Sequence, residues 1–270
     1  MSLALDSGYL SKAVQSALAG KLKFCLYAQP LVALDNSNEI LGYELLARLP
    51  VGDQILMPGD FLPIVDSWGL AAKFDHLVLA QVNELLCSKP DTAMLAFNLS
   101  ASGLLDPTVL AEVLGLEQHL SRMRIVVELT ESQVVKSVEL AQEALTTLQQ
   151  AGFQIALDDF GVGYSSLSYI AHLPVDVIKF DRSLAGLPTR ILATLANALA
   201  EEGYSLVAEG IEDESQANIM RQAGFAYAQG YLFGKPVPAS NLIRQTKALL
   251  DLPIALLSGT VDSPQLAVAI

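Results

Sequence analysis

Arg124-Ile-Val-Val-Glu-Leu129 and Gln154-Ile-Ala-Leu157 are two short apolar runs, and the segment Val138–Ala151 between them has a helical pattern. Apolar runs of this length are typical of strands that are buried on both faces. A helix between two strands is long enough to cross over a sheet and to leave the strands parallel. The stretch therefore predicts a strand–helix–strand unit of a parallel sheet.

The same alternation continues along the chain and gives eight predicted strands. The first two are separated only by Asp35-Asn-Ser-Asn38, a turn-rich link that predicts an antiparallel hairpin. Later strands are separated by helical segments such as Ile191–Glu202. Eight strands with mostly helical crossovers in about 250 residues predict an α/β fold, a (β/α)₈ TIM-like barrel with one antiparallel strand. The strands are predicted at Lys23–Leu34, Ile40–Leu46, Ala93–Leu99, Arg124–Leu129, Gln154–Leu157, Val177–Phe180, Ser205–Ala208 and Tyr227–Leu232.

The chain of 270 residues is long enough for one large barrel or for two small domains. No internal repeat and no linker rich in Gly, Ser or Pro divides it, so we expect a single barrel domain over residues 1–270. Residues 1–20 are expected to form a leading helix. Residues 239–270 are expected to form a closing helix at Asn241–Leu250 and an apolar tail.

Composition argues against several classes of protein. Mean hydropathy is +0.41, but a charge interrupts the longest apolar stretches well before the ~18–20 residues that span a bilayer. Buried strands therefore explain the value better than a membrane segment. The net charge of −13 opposes binding to duplex nucleic acid. Met1-Ser-Leu-Ala-Leu-Asp6 lacks the basic start and apolar block that predict a signal peptide. Cys25 and Cys87 show no disulfide or zinc pattern. We therefore expect a cytoplasmic protein.

Polar side chains stand at or near the ends of seven successive predicted strands. The carboxyl ends of barrel strands meet at one mouth, which is where barrel enzymes build their active sites. We therefore expect these side chains to converge. They are Glu44, Asn98, Glu128, the pair Asp158 and Asp159, the pair Lys179 and Asp181, Glu209, and Gln229.

Several carboxylates at one mouth repel one another unless cations neutralise them. Oxygen ligands in this number suit Mg²⁺ or Mn²⁺, and the adjacent pair Asp158-Asp159 suits two ions that share a bridging carboxylate. Two such ions ~3.5–4 Å apart promote in-line attack on a phosphodiester. The three histidines lie outside this set, which disfavours zinc. Each acid taken alone is more often a helix cap or a surface group than a metal ligand, and it is the joint pattern that favours a metal site.

The chain resembles the EAL-domain phosphodiesterases from about Leu22 to Pro238. Glu44-Leu-Leu-Ala-Arg48 matches the family pattern Glu-x-Leu-x-Arg, although Leu45 replaces the alanine of the Glu-Ala-Leu triplet. Further matches follow in the family order, and the ordered series is more specific than any one motif. They are Gln29-Pro30, Asn98-Leu-Ser100, Glu128-Leu-Thr-Glu131, Asp158-Asp-Phe-Gly161, Gly163-Tyr-Ser-Ser-Leu167, Lys179-Phe-Asp181, Ala208-Glu-Gly-Ile-Glu212 and Gln229-Gly-Tyr231.

This resemblance implies two-metal hydrolysis of the bacterial messenger cyclic di-GMP to linear pGpG, by a homodimer. Catalytic roles are implied for Lys179 and Glu209, beside the attacking water, and for Glu131, which steadies the loop after Asp159. Ligands of the two Mg²⁺ or Mn²⁺ ions are implied at Glu44, Asn98, Glu128, Asp158 and Asp159. Substrate contacts are implied at Gln29, Arg48, Glu212 and Gln229.

Other positions depart from the family pattern. Val162 replaces a threonine, the segment between Asp181 and Glu209 is shorter than usual, and Ile64-Val-Asp66 lacks the usual Ala-Glu. Two alternative functions stay open. One is a catalytically silent cyclic di-GMP receptor that acts through a protein partner, although the metal ligands that receptors of the family usually lose are all present. The other is an unrelated Mg²⁺-dependent barrel enzyme.

Overall fold

A computed structural model of the chain describes residues 7–35, 37–90, 92–130, 138–162 and 173–243. These residues contain ten strands, most of which coincide closely with the predicted runs. The strands are β1 (Cys25–Ala33), β2 (Ile40–Val51), β3 (Gln54–Leu56), β4 (Met94–Asn98), β5 (Arg124–Thr130), β6 (Gln154–Phe160), β7 (Val177–Phe180), β8 (Ser205–Ala208), β9 (Tyr227–Gln229) and β10 (Val237–Pro238).

Eight of the strands close into a barrel. β2, β4, β5, β6, β7, β8 and β9 follow one another in parallel. β1 is antiparallel to both of its neighbours, β2 and β9, and so closes the ring. The predicted (β/α)₈ barrel with one antiparallel strand is confirmed, and the reversed strand is β1. The short strands β3 and β10 were not predicted; they add antiparallel pairs to β2 and β1 outside the ring.

Helices follow most of the parallel strands. None of the helices in the described ranges is both long enough and apolar enough to cross a bilayer. A further helical segment begins at residues 240–243, and the rest of the predicted closing helix and tail lies outside the described residues. The helices are α1 (Ser7–Leu18), α2 (Pro58–Ser67), α3 (Ala71–Cys87), α4 (Ala101–Leu104), α5 (Pro107–Leu114), α6 (Val138–Gln150), α7 (Thr189–Glu201) and α8 (Glu214–Gln222).

The main apolar core lies between the outer face of the barrel and the helices around it. Strand residues such as Val127 and Ile178 pack there against helix residues such as Leu145 and Leu192. A second, smaller core joins α1, α2 and β3 to the far end of β2. β2 is longer than predicted because its last residues leave the barrel to pair with β3. Both cores hold the rim of the barrel in place.

Candidate metal centre

Alternating residues of each strand face the inside of the barrel, so the polar residue near each carboxyl end points into the mouth. Register places Glu128 opposite Asn98, and Gln29 opposite Glu44. Glu209 follows β8 directly, and its backbone N–H donates to Phe180 at 2.9 Å. The mouth is therefore built by strand ends that the sheet holds in register.

Asp158 and Asp159 require a local departure from regular strand geometry. Neighbouring residues of a regular strand point to opposite faces. Here the β6–β7 pairing shifts between Leu157 and Phe160, and Asp159 adopts a left-handed backbone conformation with φ 58°. Aspartate tolerates this conformation better than most residues. The irregularity brings both carboxylates to the mouth.

Lys179 forms the centre of the charged cluster. Its side chain is 2% exposed and reaches four carboxylates from four different strand ends. Such a group stabilises the cluster by opposing the repulsion between the acids. The distances from Lys179 Nζ are 3.4 Å to Glu44 Oε2, 2.9 Å to Glu128 Oε2, 3.2 Å to Asp158 Oδ1 and 2.8 Å to Glu209 Oε1.

The pKa values show that one lysine does not balance the acids. Burial alone would lower the pKa of Lys179, but the carboxylates around it raise that pKa well above its ordinary value. Burial and the neighbouring Glu44 raise the pKa of Glu128 well above its usual range. Burial raises the pKa of Glu209 to about 8. The charge of Asp158 also raises this pKa, whereas the charge of Lys179 lowers it. The cluster has an excess of negative charge, and either protons or cations can neutralise it.

Two carboxylate triplets in the mouth have the geometry of a metal site, and they share Asp158. One is Glu44, Glu128 and Asp158, and the other is Asp158, Asp159 and Glu209; within each, the oxygens lie within 4.8 Å of one another. Asp158 Oδ1 is buried and accepts no hydrogen bond from the described residues, although Lys179 lies at ion-pair distance. A buried oxygen without a donor is costly. The residues present therefore fit a pair of divalent cations.

Two amide side chains orient Glu44. Asn98 Nδ2 donates to Glu44 Oε1 at 2.8 Å, and Gln229 Nε2 donates to Glu44 Oε2 at 2.7 Å. Because its nitrogen is turned to Glu44, the amide oxygen of Asn98 remains as a possible metal ligand. Gln229 was expected to contact solvent or substrate, and the structure gives it this additional role as a donor to a predicted ligand.

A cleft beside the cluster is lined by three of the four predicted substrate contacts. Gln29, Glu212, Gln229 and Tyr231 line it together with Glu44 and Glu209. Glu212 is exposed and pairs with Arg182 at 3.2 Å. Arg48 is 4% exposed, its guanidinium lies 5.6 Å above the ring of Tyr27, and it donates to the carbonyl of Ala47 at 2.8 Å. Within the described ranges no carboxylate pairs with Arg48.

The structure thus brings together ten of the twelve predicted site residues at the mouth and in the cleft, and it places Arg48 close by. Glu131 lies outside the described residues. Tyr231 was quoted in the motif Gln229-Gly-Tyr231 without a role of its own. Neither Tyr27 nor Asp75, a buried carboxylate of α3, was singled out from the sequence. A signal for Asp75 exists, because it falls on the same helical face as Val78, Leu79 and Val82, where an apolar residue is expected.

Comparison with known proteins identifies the family. The family model described as "EAL domain" matches residues 11–236. The chain belongs to the EAL domain family. Among curated relatives, the "Probable cyclic di-GMP phosphodiesterase PdeG" of Escherichia coli K12 is 34% identical over 234 residues. The match covers 81% of this chain and 45% of PdeG, so the EAL domain described here spans less than half the length of that relative.

Solved structures of EAL proteins have the same fold. The EAL enzyme Bd1971, in a form with cAMP and cyclic di-GMP bound, superposes with a TM-score of 0.76 at 25% identity, over 89% of this chain and 69% of that one. The EAL domain of FimX from Pseudomonas aeruginosa, bound to cyclic di-GMP, gives a TM-score of 0.71 at 27% identity, over 84% of this chain and 96% of that one.

Proposed function

We propose that this EAL domain hydrolyses cyclic di-GMP to linear pGpG with the help of two divalent cations, Mg²⁺ or Mn²⁺. The proposal depends above all on the two carboxylate triplets that share Asp158 beside the buried ammonium of Lys179. The name of PdeG and the cyclic di-GMP bound to Bd1971 and FimX support the same substrate class.

Five side chains would hold the cations. Glu44, Asn98, Glu128 and Asp158 would bind one ion, and Asp158 would share the second with Asp159. All of these donors are oxygen atoms, which favours Mg²⁺ or Mn²⁺ over zinc. When bound, the ions supply positive charge that polarises the phosphodiester and activates water.

Lys179 and Glu209 would act on the reacting atoms. Lys179 keeps its proton throughout, so its ammonium offers fixed positive charge where negative charge develops on the phosphate. Glu209 would orient the attacking water, because its carboxylate can accept a hydrogen bond from that water. Attack of the water oxygen on phosphorus breaks the bond to the 3′ oxygen, which receives a proton. The product is linear, with a 5′-phosphate and a free 3′-hydroxyl.

The cleft would hold the rest of the substrate. Arg48 is buried without a carboxylate partner among the described residues, so its guanidinium is available to form two parallel hydrogen bonds with the phosphate that is not cleaved. Gln29 and Glu212 line the cleft and would contact guanine edges. We assign Glu131 to the loop after Asp159 on the basis of the family resemblance alone.

The test is direct incubation of the purified protein with cyclic di-GMP and Mn²⁺, with the products separated by chromatography. We expect pGpG, and we expect Glu44→Ala to abolish its formation. Glu112→Ala is the matched control, because it also removes a carboxylate but one that pairs with His76 between helices. Tight binding of cyclic di-GMP without turnover would instead support the receptor function. Absence of both turnover and binding would contradict cyclic di-GMP as the ligand of this EAL domain.

We also propose that the domain acts in the cytoplasm as a homodimer. Both cysteines are free thiols, in keeping with a reducing compartment. The loop after Asp159 resembles the dimer contact of the family, and Val162 in that loop is 62% exposed, which supports the proposal. Sedimentation should give a dimer for the wild type and a monomer for Val162→Lys. An unchanged dimer in that variant would place the contact elsewhere.

A further inference from the structure

Asp75 is a buried carboxylate to which the reaction above gives no role. It lies in α3, is 4% exposed, and forms no ion pair with any lysine or arginine in the described ranges. Its Oδ2 accepts two hydrogen bonds from Ser100, one from the backbone N–H at 3.1 Å and one from Oγ at 2.5 Å. Both bonds go to one residue 25 positions along the chain. Asp75 therefore joins α3 to the turn that contains Ser100.

That turn carries a predicted metal ligand. Ser100 lies two residues after Asn98, at the end of β4. Between them, the N–H of Leu99 donates to the carbonyl of Glu128 at 2.8 Å. Asn98 itself contacts Glu44 at 2.8 Å. The turn is thus fixed to β5 on one side and to Asp75 on the other, and Ser100 is only two residues from Asn98.

The hydrogen bonds that Ser100 donates to Asp75 are not needed to cap the start of α4. Ser100 begins α4, and its own Oγ already accepts the N–H of Gly103 at 2.9 Å. A serine at this position caps a helix without help from a second side chain. Asp75 also packs closely against the backbone of Gly103, because a Cβ added at that residue would overlap Asp75 Oδ2. Burial raises the pKa of Asp75 to about 6, although the hydrogen bonds from Ser100 act in the other direction.

Asp75 and the metal ligands border one space. The residues that line the cavity behind the cluster include Asp75, Ser100, Asn98, Asp158 and Asp159. No described bond joins Asp75 directly to a predicted ligand. Its effect on the centre therefore has to pass through Ser100.

We propose that Asp75 is a positioning residue of the metal centre: by anchoring Ser100 it sets the position of the Asn98 amide and thereby the affinity for the first cation. The inference rests on the proposed function, since it assumes that Asn98 is a ligand. Groups behind metal ligands commonly alter affinity by about 10- to 100-fold when they are removed. Asp75 acts on the centre without contact to substrate, water or cation.

The experiment measures Mn²⁺ binding directly, by the paramagnetic resonance signal of free Mn²⁺ in a titration without substrate. We expect Asp75→Ala to weaken one of the two Mn²⁺ sites by about tenfold. Asp75→Asn should restore most of the affinity, because an amide oxygen can replace Oδ2 as the acceptor. Turnover of Asp75→Ala should approach the wild-type kcat when Mn²⁺ is raised about tenfold.

Asp106→Ala is the matched control. Asp106 also accepts two hydrogen bonds, from the N–H groups of Thr108 and Val109, but at the start of α5. Its loss should lower the melting temperature without a change in Mn²⁺ affinity. A purely structural role for Asp75 would give the same result as this control, and that result overturns the inference.

Ser100→Ala keeps the test decisive if Asp75→Ala fails to fold. It removes the hydroxyl that donates to Asp75 Oδ2 and retains the hydrogen bond from the backbone N–H. It should weaken Mn²⁺ binding at the same site by several-fold. Wild-type Mn²⁺ affinity in that variant overturns the inference and leaves the proposed function intact. A wild-type protein that binds no Mn²⁺ overturns both.

Discussion

The inside of the barrel has two neighbouring layers of opposite character, and the same strands build both. The lower layer is apolar, with Met94, Ala96, Val126 and Ala156 all buried. The upper layer, two residues further along three of the strands, is charged. Glu128 follows Val126, Asp158 follows Ala156, Lys179 follows Val177, and each of these pairs faces inward because side chains alternate.

The apolar lower layer stabilises the fold, whereas the charged upper layer carries the candidate metal site. Apolar groups in the lower layer gain free energy when they leave water. In the upper layer, one ammonium faces four carboxylates, and the removal of such charges from water costs more than their attraction returns unless the charges balance. The upper layer therefore costs stability in the absence of cations, and the lower layer and the helical shell offset that cost.

The largest effect that would test this contrast is expected for Asp158→Asn. Asp158 is the residue common to both triplets. Its loss should therefore weaken the binding of both cations and reduce turnover by about 10³-fold. The metal-free protein should nevertheless melt no lower than the wild type, because the change removes one of the excess negative charges. Turnover is measured by the rate of pGpG formation, and the melting temperature of the metal-free protein is measured by calorimetry. A lower melting temperature would mean that the charged layer stabilises the fold.

Lys179→Met is expected to reduce turnover by about 10²-fold, since under the proposed function it removes a charge that would contact the reacting phosphate. Unlike Asp158→Asn, it should also destabilise the metal-free protein, by about 3–5 kcal/mol, because four acids lose their shared partner. Denaturant titration at pH 8 with and without Mn²⁺ would measure this loss, and Mn²⁺ should restore part of it. Unchanged stability would show that protons already neutralise the acids, so that the charge of Lys179 is not needed to stabilise the fold.

The sequence was sufficient to predict the composition of the upper layer. Apolar runs and the acids that end them are local signals, and the barrel brings strand ends together whatever the loops do. Glu128 and Lys179 therefore fall where they were expected. The interpretation of Gln229 was incomplete, because its bond to Glu44 joins residues 185 positions apart, and no local pattern specifies such a contact.

Other features depend on tertiary contacts that the sequence does not reveal. The left-handed conformation of Asp159 was not predicted, since aspartate tolerates that conformation but does not require it. The extension of β2 to Val51 was missed because its pairing with β3 lies outside the barrel. Asp75 was missed because its role depends on Ser100, which is distant in the chain.

The pH dependence of stability should also distinguish the layers. The folded-state pKa of Glu209 is raised to about 8, whereas in the unfolded chain it is near 4.3. Between these values the folded protein holds a proton that the unfolded chain has lost, so the stability of the metal-free protein should fall as pH rises from about 4.5 to about 8. Saturating Mn²⁺ should reduce this fall, because cations replace protons in balancing the acids.

Glu209→Gln is the control for this pH series, since an amide does not ionise. Melting curves of the metal-free variant between pH 5 and about 8 should be flatter than those of the wild type. Identical slopes for the two proteins would show that Glu209 titrates normally in the folded state. The fall in stability would then have to come from other acids, such as Glu128.

The smallest effect is expected in the lower layer, for Val126→Ala. The change removes two methyl groups from a residue that is 3% exposed, which should cost about 1.5–2 kcal/mol and lower the melting temperature by roughly 3–8 °C. Turnover should stay within about twofold of the wild type.

Val127→Ala is the matched control on the outer face of the same strand, where Val127 packs into the main core. It should reduce stability by about the same amount. Similar stability losses with unchanged turnover would confirm that the lower layer only supports the mouth. A tenfold loss of turnover in Val126→Ala alone would instead show that the position of Glu128, two residues further on, depends on the packing beneath it.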